Sequence, residues 1–146
     1  MIVFVDTSVL VKLYVEERGS EQMRALTAPG EPMAASHLAF AEMHATFARR
    51  RREGLLHPDE FEELVVRWAE DWQGFTQVPI GAEVLALVPG LCENHPLRGA
   101  DALHLASALL LQENGLDVTF ACSDRLLLAA ANSERLATYN PVQAPQ

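Results

Sequence analysis

Ile2-Val3-Phe4-Val5-Asp6-Thr7-Ser8-Val9-Leu10 passes from an unbroken apolar run straight into an acid, two hydroxyl residues and a second apolar segment. A short run with no polar alternation suits a central strand of a parallel sheet, covered on both faces. Asp6 would then stand at the strand's carboxyl end. Val118-Thr119-Phe120-Ala121-Cys122-Ser123-Asp124 repeats the pattern, with Leu126-Leu127-Leu128 opening the next helix. In open α/β sheets, ligands bind in the crevice outside the carboxyl ends of the strands, so two acids at equivalent ends can face one site. Either acid alone is better read as a helix N-cap. The repetition is what points to shared chemistry.

Outward from these two runs, weaker strands are expected at Met33 to Ala35, Thr76 to Pro79 and Leu136 to Tyr139. Helical patterns lie at Val9 to Val15, Ser20 to Leu26, Leu38 to Glu53, Pro58 to Trp72, Ala82 to Glu93, Ala100 to Asn114 and Arg125 to Ala131. The alternation places the chain in the α/β class, with helices on both sheet faces. Pro58 suits a first helical turn and Gly115 a helix C-terminus. Pro89-Gly90 is expected to break or kink its helix. With 146 residues, 49% of them hydrophobic, the chain fits one domain with an ordinary core, at residues 1–141, and a loose tail at 142–146.

Twenty Asp and Glu against eleven Lys and Arg give a net charge of −9, which argues against a polyanionic partner unless charge is locally arranged. Arg49 to Arg52 form one basic cluster. Cys92 and Cys122 show no metal-ligand spacing and read as buried free thiols in a reducing compartment. The Met1 to Val5 run is too short for a signal-peptide core, and no stretch reaches membrane-spanning length. A soluble, cytoplasmic protein is expected.

Asp101 falls in the first turn of a strongly apolar helix, where the helix dipole favours its ionised form. Asp101, His104 and Leu105 share one face of that helix, which sets an acid and an imidazole among buried residues. Glu42 lies on an Ala-rich helix and taken alone reads as solvated. Beside three acids already pointing to one crevice, it adds an oxygen ligand of the kind hard divalent cations prefer. Magnesium or manganese fits better than zinc, although His37 and His44 flank Glu42, because there is no cysteine cluster and no HExxH pattern.

The run Asp6-Thr7-Ser8-Val9-Leu10, the isolated Glu42, the block Arg98-Gly99-Ala100-Asp101-Ala102-Leu103-His104-Leu105-Ala106, and Ser123-Asp124 followed by leucines together resemble the PIN-domain nucleases. Among these the VapC-type toxins of bacterial toxin–antitoxin pairs look nearest. The resemblance spans almost the whole chain, and the Asp101 block is its most specific part; the overall acidity and Pro89-Gly90 depart from it. It implies a single PIN-like domain with a central parallel sheet of about five strands flanked by helices, and four acids that converge. It also implies an RNA substrate, homodimers, and a small antitoxin whose tail crosses the active-site groove.

Four converging carboxylates repel one another unless divalent cations neutralise them. Asp6 and Asp101 are read as direct ligands of Mg2+ or Mn2+, with Glu42 and Asp124 completing the shell directly or through water. Thr7, Ser8 and Ser123 are candidates to orient those acids by hydrogen bonding. Arg49 and Arg50 are candidate RNA contacts, with Lys12 and Arg125 as alternatives, although positive charge at a helix C-terminus has a structural reason of its own. His104 reads as a packed structural histidine rather than a proton carrier. Phe61, Leu64, Val65, Trp68 and Trp72 fall at helical spacing and read as core, or as a subunit interface if the core leaves them uncovered. The competing functions are a housekeeping PIN nuclease of RNA processing, a non-catalytic binding module and an acid phosphatase-like hydrolase.

Overall fold

A computed structural model describes residues 1–28 and 30–143. Of the tail expected at 142–146, residues 144–146 lie outside the described residues. Five strands form one parallel sheet: β1 (Ile2–Val5), β2 (Met33–Ser36), β3 (Thr76–Val78), β4 (Val118–Ala121) and β5 (Ala137–Tyr139), in the order β3-β2-β1-β4-β5. The helices are α1 (Thr7–Leu10), α2 (Ser20–Thr27), α3 (His37–Arg52), α4 (Pro58–Trp72), α5 (Ala82–Asn94), α6 (Gly99–Glu113) and α7 (Arg125–Ser133). This is the α/β class that the alternation of runs implied, with the five parallel strands that the resemblance led one to expect.

β1 lies at the centre, and every one of its residues is buried. Its lack of alternation has a direct cause. Ile2 and Phe4 pack among Leu91 of α5, Leu105 of α6 and Leu127 of α7, while Val3 and Val5 pack among Met43 and Phe47 of α3 and Trp68 of α4. Both faces are therefore cores. Phe4 pairs in register with Phe120 of β4, and their rings stack 5.6 Å apart, tying the two acid-bearing strands together. The apolar stripe of α4 packs inward, with Leu64, Trp68 and Trp72 buried and Phe61 and Val65 partly so. Trp68 is fully buried and meets Tyr14 and Phe75 edge to face at 5.6 and 5.8 Å.

From β1 the chain builds outward through β2 to β3, then crosses back so that β4 lies on the other side of β1. The reversal opens a crevice at the carboxyl ends of β1 and β4, where such sheets bind ligands. Asp6 and Asp124 both leave their strands at that edge.

Some boundaries differ from expectation. The first helix begins at Thr7 rather than Val9, because the Asp6 carboxylate accepts the Val9 N–H at 3.3 Å and caps it. It then tightens into a 3-10 turn over Val11–Leu13. Helix α5 runs through Pro89 without ending; Pro89 and Leu85, four residues before it, are both exposed, so the backbone carbonyl left without a donor is on the solvent side. Cys92 is exposed on that same helix and corrects the reading of two buried thiols, whereas Cys122 is buried; both are free. Pro58 opens α4 as expected, and His57 and Glu60 complete a capping box there. Gly115 follows α6 with φ +90°, a conformation that suits glycine. No helix among the described residues is long and apolar enough to cross a membrane.

Candidate active site

At the switch point the chain forms a pocket of about 300 Å3 lined by Asp6, Thr7, Ser8, Glu42, Arg98, Ala100, Asp101 and His104. Three elements supply its acids. Asp6 comes from the end of β1, Glu42 from α3, and Asp101 from the first turn of α6. Each acid already has a partner. Asp6 accepts from the Ser8 hydroxyl at 2.6 Å and from the Val9 amide at 3.3 Å. Glu42 Oε1 accepts from Thr7 Oγ1 and lies beside His104 Nε2, both at 2.7 Å. Asp101 Oδ2 meets Arg98 Nε at 3.4 Å, and its side chain is 18% exposed.

The environments push the acids apart. Burial raises the protonation range of Asp6 above the usual carboxylate value, against the lowering effect of Ser8, His104 and Val9. Glu42 moves down, first through its hydrogen bond to His104 and also through Thr7. Neighbouring carboxylates with opposite shifts are a recurrent mark of functional sites.

Asp124 does not line this pocket. Its Oδ1 accepts the Leu127 N–H at 2.9 Å and caps α7. It is joined to the Asp6 side of the crevice through Cys122, whose sulfur accepts the Asp124 N–H at 3.2 Å. Burial, then the charge of Asp6, drives the Cys122 thiol far above its ordinary range, so it stays protonated. Ser123 Oγ is buried without a hydrogen-bond partner. The structure thus brings together Asp6, Glu42, Asp101, Thr7 and Ser8, and leaves Asp124 and Ser123 on the neighbouring strand end.

The side chains fit a hard divalent cation in donor chemistry: three carboxylates on one pocket, one of them buried among hydroxyl, amide, thiol and imidazole groups. They do not stand preassembled. Among the described residues, no three His, Cys, Asp or Glu side chains are grouped so that they could hold an ion as they lie. Asp101 is drawn to Arg98, and Glu42 is tethered through Oε1 to Thr7 and His104, so the three acids line one pocket without closing on a common point.

The candidate RNA contacts separate sharply. Lys12 is buried, with Nζ bonded to Glu17 at 3.1 Å and to the Arg18 carbonyl at 2.8 Å. Its stem lies 3.2 Å from where a Cβ on Gly19 would sit, and Gly19 has φ +92°. Arg50 joins the same cluster, bonding Glu17 at 3.0 Å. Both cations are thereby committed to holding the turn after α1 against α3. Arg49 is exposed on α3, and Arg125 lines a separate depression with Asn132, Thr138 and Asn140. Arg98 and His104 are pocket residues that the sequence reading did not place among the functional ones. They flank Asp101 at i−3 and i+3, and that helical spacing is the signal that could have found them.

The chain matches the PIN domain family over residues 3–118. It is 36% identical over 132 residues to Ribonuclease VapC45 of Mycobacterium tuberculosis, which covers 90% of each chain. In fold it is similar to FitAcB from Neisseria gonorrhoeae, with a TM-score of 0.70 at 19% identity over 97% of this chain and 99% of that one. A toxin–antitoxin complex from Klebsiella pneumoniae gives a TM-score of 0.67 at 17% identity, over 95% of this chain and 97% of that one. The parallel sheet, the acid-lined pocket at its switch point and these matches agree: the chain belongs to the PIN domain family, as a relative of the VapC ribonucleases.

Proposed function

We propose that this chain is a divalent-metal-dependent endoribonuclease, the toxin of a toxin–antitoxin pair, acting in the cytoplasm as a homodimer restrained by a small antitoxin. The observation that carries the catalytic part is the convergence of Asp6, Glu42 and Asp101 on one pocket at the β1 and β4 ends. The toxin part is supported by the VapC45 relative and by the neighbour solved as a toxin–antitoxin complex.

Asp6 and Asp101 would hold Mg2+ or Mn2+ directly, Glu42 would complete the shell, and Asp124 would add charge from the adjoining strand end, directly or through water. A bound ion of this kind supplies Lewis-acid activation of water and of the phosphodiester. The protein's own part is orientation. Ser8 and the Val9 amide fix Asp6, Thr7 and His104 fix Glu42, and the α6 N-terminus favours ionised Asp101. Arg98 sits at the pocket lip with its side chain 84% exposed and its Nε toward Asp101, so the rest of the guanidinium can receive a substrate phosphate. One cation at the lip eases the approach of a polyanion to a pocket of acids in a chain of net charge −9.

Three outcomes follow. Purified, antitoxin-free protein should cleave RNA with magnesium or manganese, and Asp6→Asn and Asp101→Asn should each lower the rate by at least about 100-fold; retained cleavage in both variants contradicts the mechanism. Arg98→Ala should raise KM about 3- to 10-fold with kcat little changed, and flatten the salt dependence of RNA binding by about one ion; an unchanged salt slope removes Arg98 from the substrate path.

The third concerns stability. Because burial raises the Asp6 value, its cost to folding is absent at low pH and sets in as pH rises through that value. In chelator, Asp6→Asn should therefore melt no lower than wild type at pH 7, and by about 2 °C or more higher if the burial cost dominates. The gap should close toward pH 4, and magnesium should raise the melting temperature of wild type alone. An Asn variant that melts well below wild type in chelator would show that the ionised carboxylate stabilises the fold where it lies, and would contradict the burial cost, because Asn caps the helix as well as Asp does.

A further inference from the structure

We propose that His104 is a positioning residue that tethers Glu42 at the pocket through one carboxylate oxygen and so limits how far its other oxygen must move to meet an ion, an inference that rests on the metal-dependent reading above. Glu42 Oε1 has two partners, Thr7 Oγ1 and His104 Nε2, each at 2.7 Å. Thr7 follows the strand that ends in Asp6, and His104 lies one turn beyond Asp101 on α6. The two donors thus belong to the two elements that carry the other acids. Through them, Glu42 is tied to the elements that carry Asp6 and Asp101, although its own helix, α3, supplies neither bond. No hydrogen bond engages Glu42 Oε2 among the described residues, so pinning Oε1 leaves one carboxylate oxygen to face an ion.

The ring's surroundings identify it as a fixed donor. Its side chain is 4% exposed, and Nδ1 is buried with no hydrogen-bond partner. A hydrogen on Nδ1 would be a buried donor without an acceptor, the costlier of the two ways to leave that nitrogen unpaired. The ring hydrogen therefore belongs on Nε2, where Glu42 receives it. With Nδ1 sealed and Nε2 engaged, His104 acts through Glu42. Hydrogen bonds of this kind orient metal-binding carboxylates, and their loss weakens metal affinity even where the ligands themselves are intact.

A histidine present only to fill space would be replaced equally well by any side chain of similar bulk. A positioning donor is replaced only by another donor at the same reach. The test is Mn2+ affinity, measured by electron paramagnetic resonance of the free ion, for wild type, His104→Gln, His104→Asn and His104→Leu. Gln places an amide nitrogen where Nε2 stands; Asn stops where Nδ1 stands.

The Gln variant should bind Mn2+ within about threefold of wild type, while Asn and Leu should bind about 10- to 100-fold more weakly. RNA cleavage at limiting Mn2+ should follow the same order. Folded Asn or Leu variants with wild-type affinity, or a Gln variant as weak as Asn, would overturn the assignment. If the Leu variant does not fold, the Gln and Asn pair decides. Wild-type protein that binds no Mn2+ would overturn the metal reading itself, which separates that failure from a failure of the His104 assignment.

Discussion

Asp6 carries a carboxyl group at the end of the central strand, enclosed on both sides by packed helices and almost cut off from solvent. A charge in that position is costly unless something compensates it. Hydroxyl, amide and thiol groups surround it, and they only partly offset the burial that holds the carboxyl toward its neutral form. The β1–β4 pairing makes this placement unavoidable. Phe4 and Phe120 stack across it, and the chain end of each strand emerges at the same edge. The rest of the pocket is built around that one buried acid: Thr7 next to it reaches Glu42, His104 reaches the same oxygen from α6, and Asp101 is one helical turn before His104.

Much of this could be read from the residues. The unbroken runs at Ile2 to Val5 and Val118 to Cys122 contain β1 and β4, the second strand ending one residue earlier at Ala121, because a strand with two buried faces has no polar alternation to show. The two acids after them cap helices and stand at the switch point, and Asp6 both caps α1 and lines the pocket. The bond between Glu42 and His104 was not legible. It joins residues 62 apart in sequence, and neither the Ala-rich pattern of α3 nor the apolar pattern of α6 specifies which faces meet. Pro89 misled for a different reason. A proline on the solvent side of a helix removes a bond that the core does not need, and composition alone does not reveal which side it occupies.

The acidity of the chain also looks different in three dimensions. Lys12 and Arg50, attractive as phosphate contacts by their sequence positions, are committed to Glu17. Arg67 is bonded to the Leu13 carbonyl and covers the Tyr14 ring at 4.4 Å. These cations hold the α1 turn, α3 and α4 together. The charge that matters near the pocket is local, with Arg98 at the lip facing the acids that line it. Net charge describes solubility and long-range approach, whereas the pocket depends on which side chains reach it.

The central claim is that the acids at the β1 and β4 ends are a divalent-cation site, and the most direct measurement is anomalous X-ray scattering from crystals grown with Mn2+. The account predicts an anomalous peak coordinated by Asp6 and Asp101, with Glu42 contributing through its Oε2. A peak elsewhere on the protein with none between Asp6 and Asp101, at Mn2+ concentrations that support RNA cleavage, would contradict it.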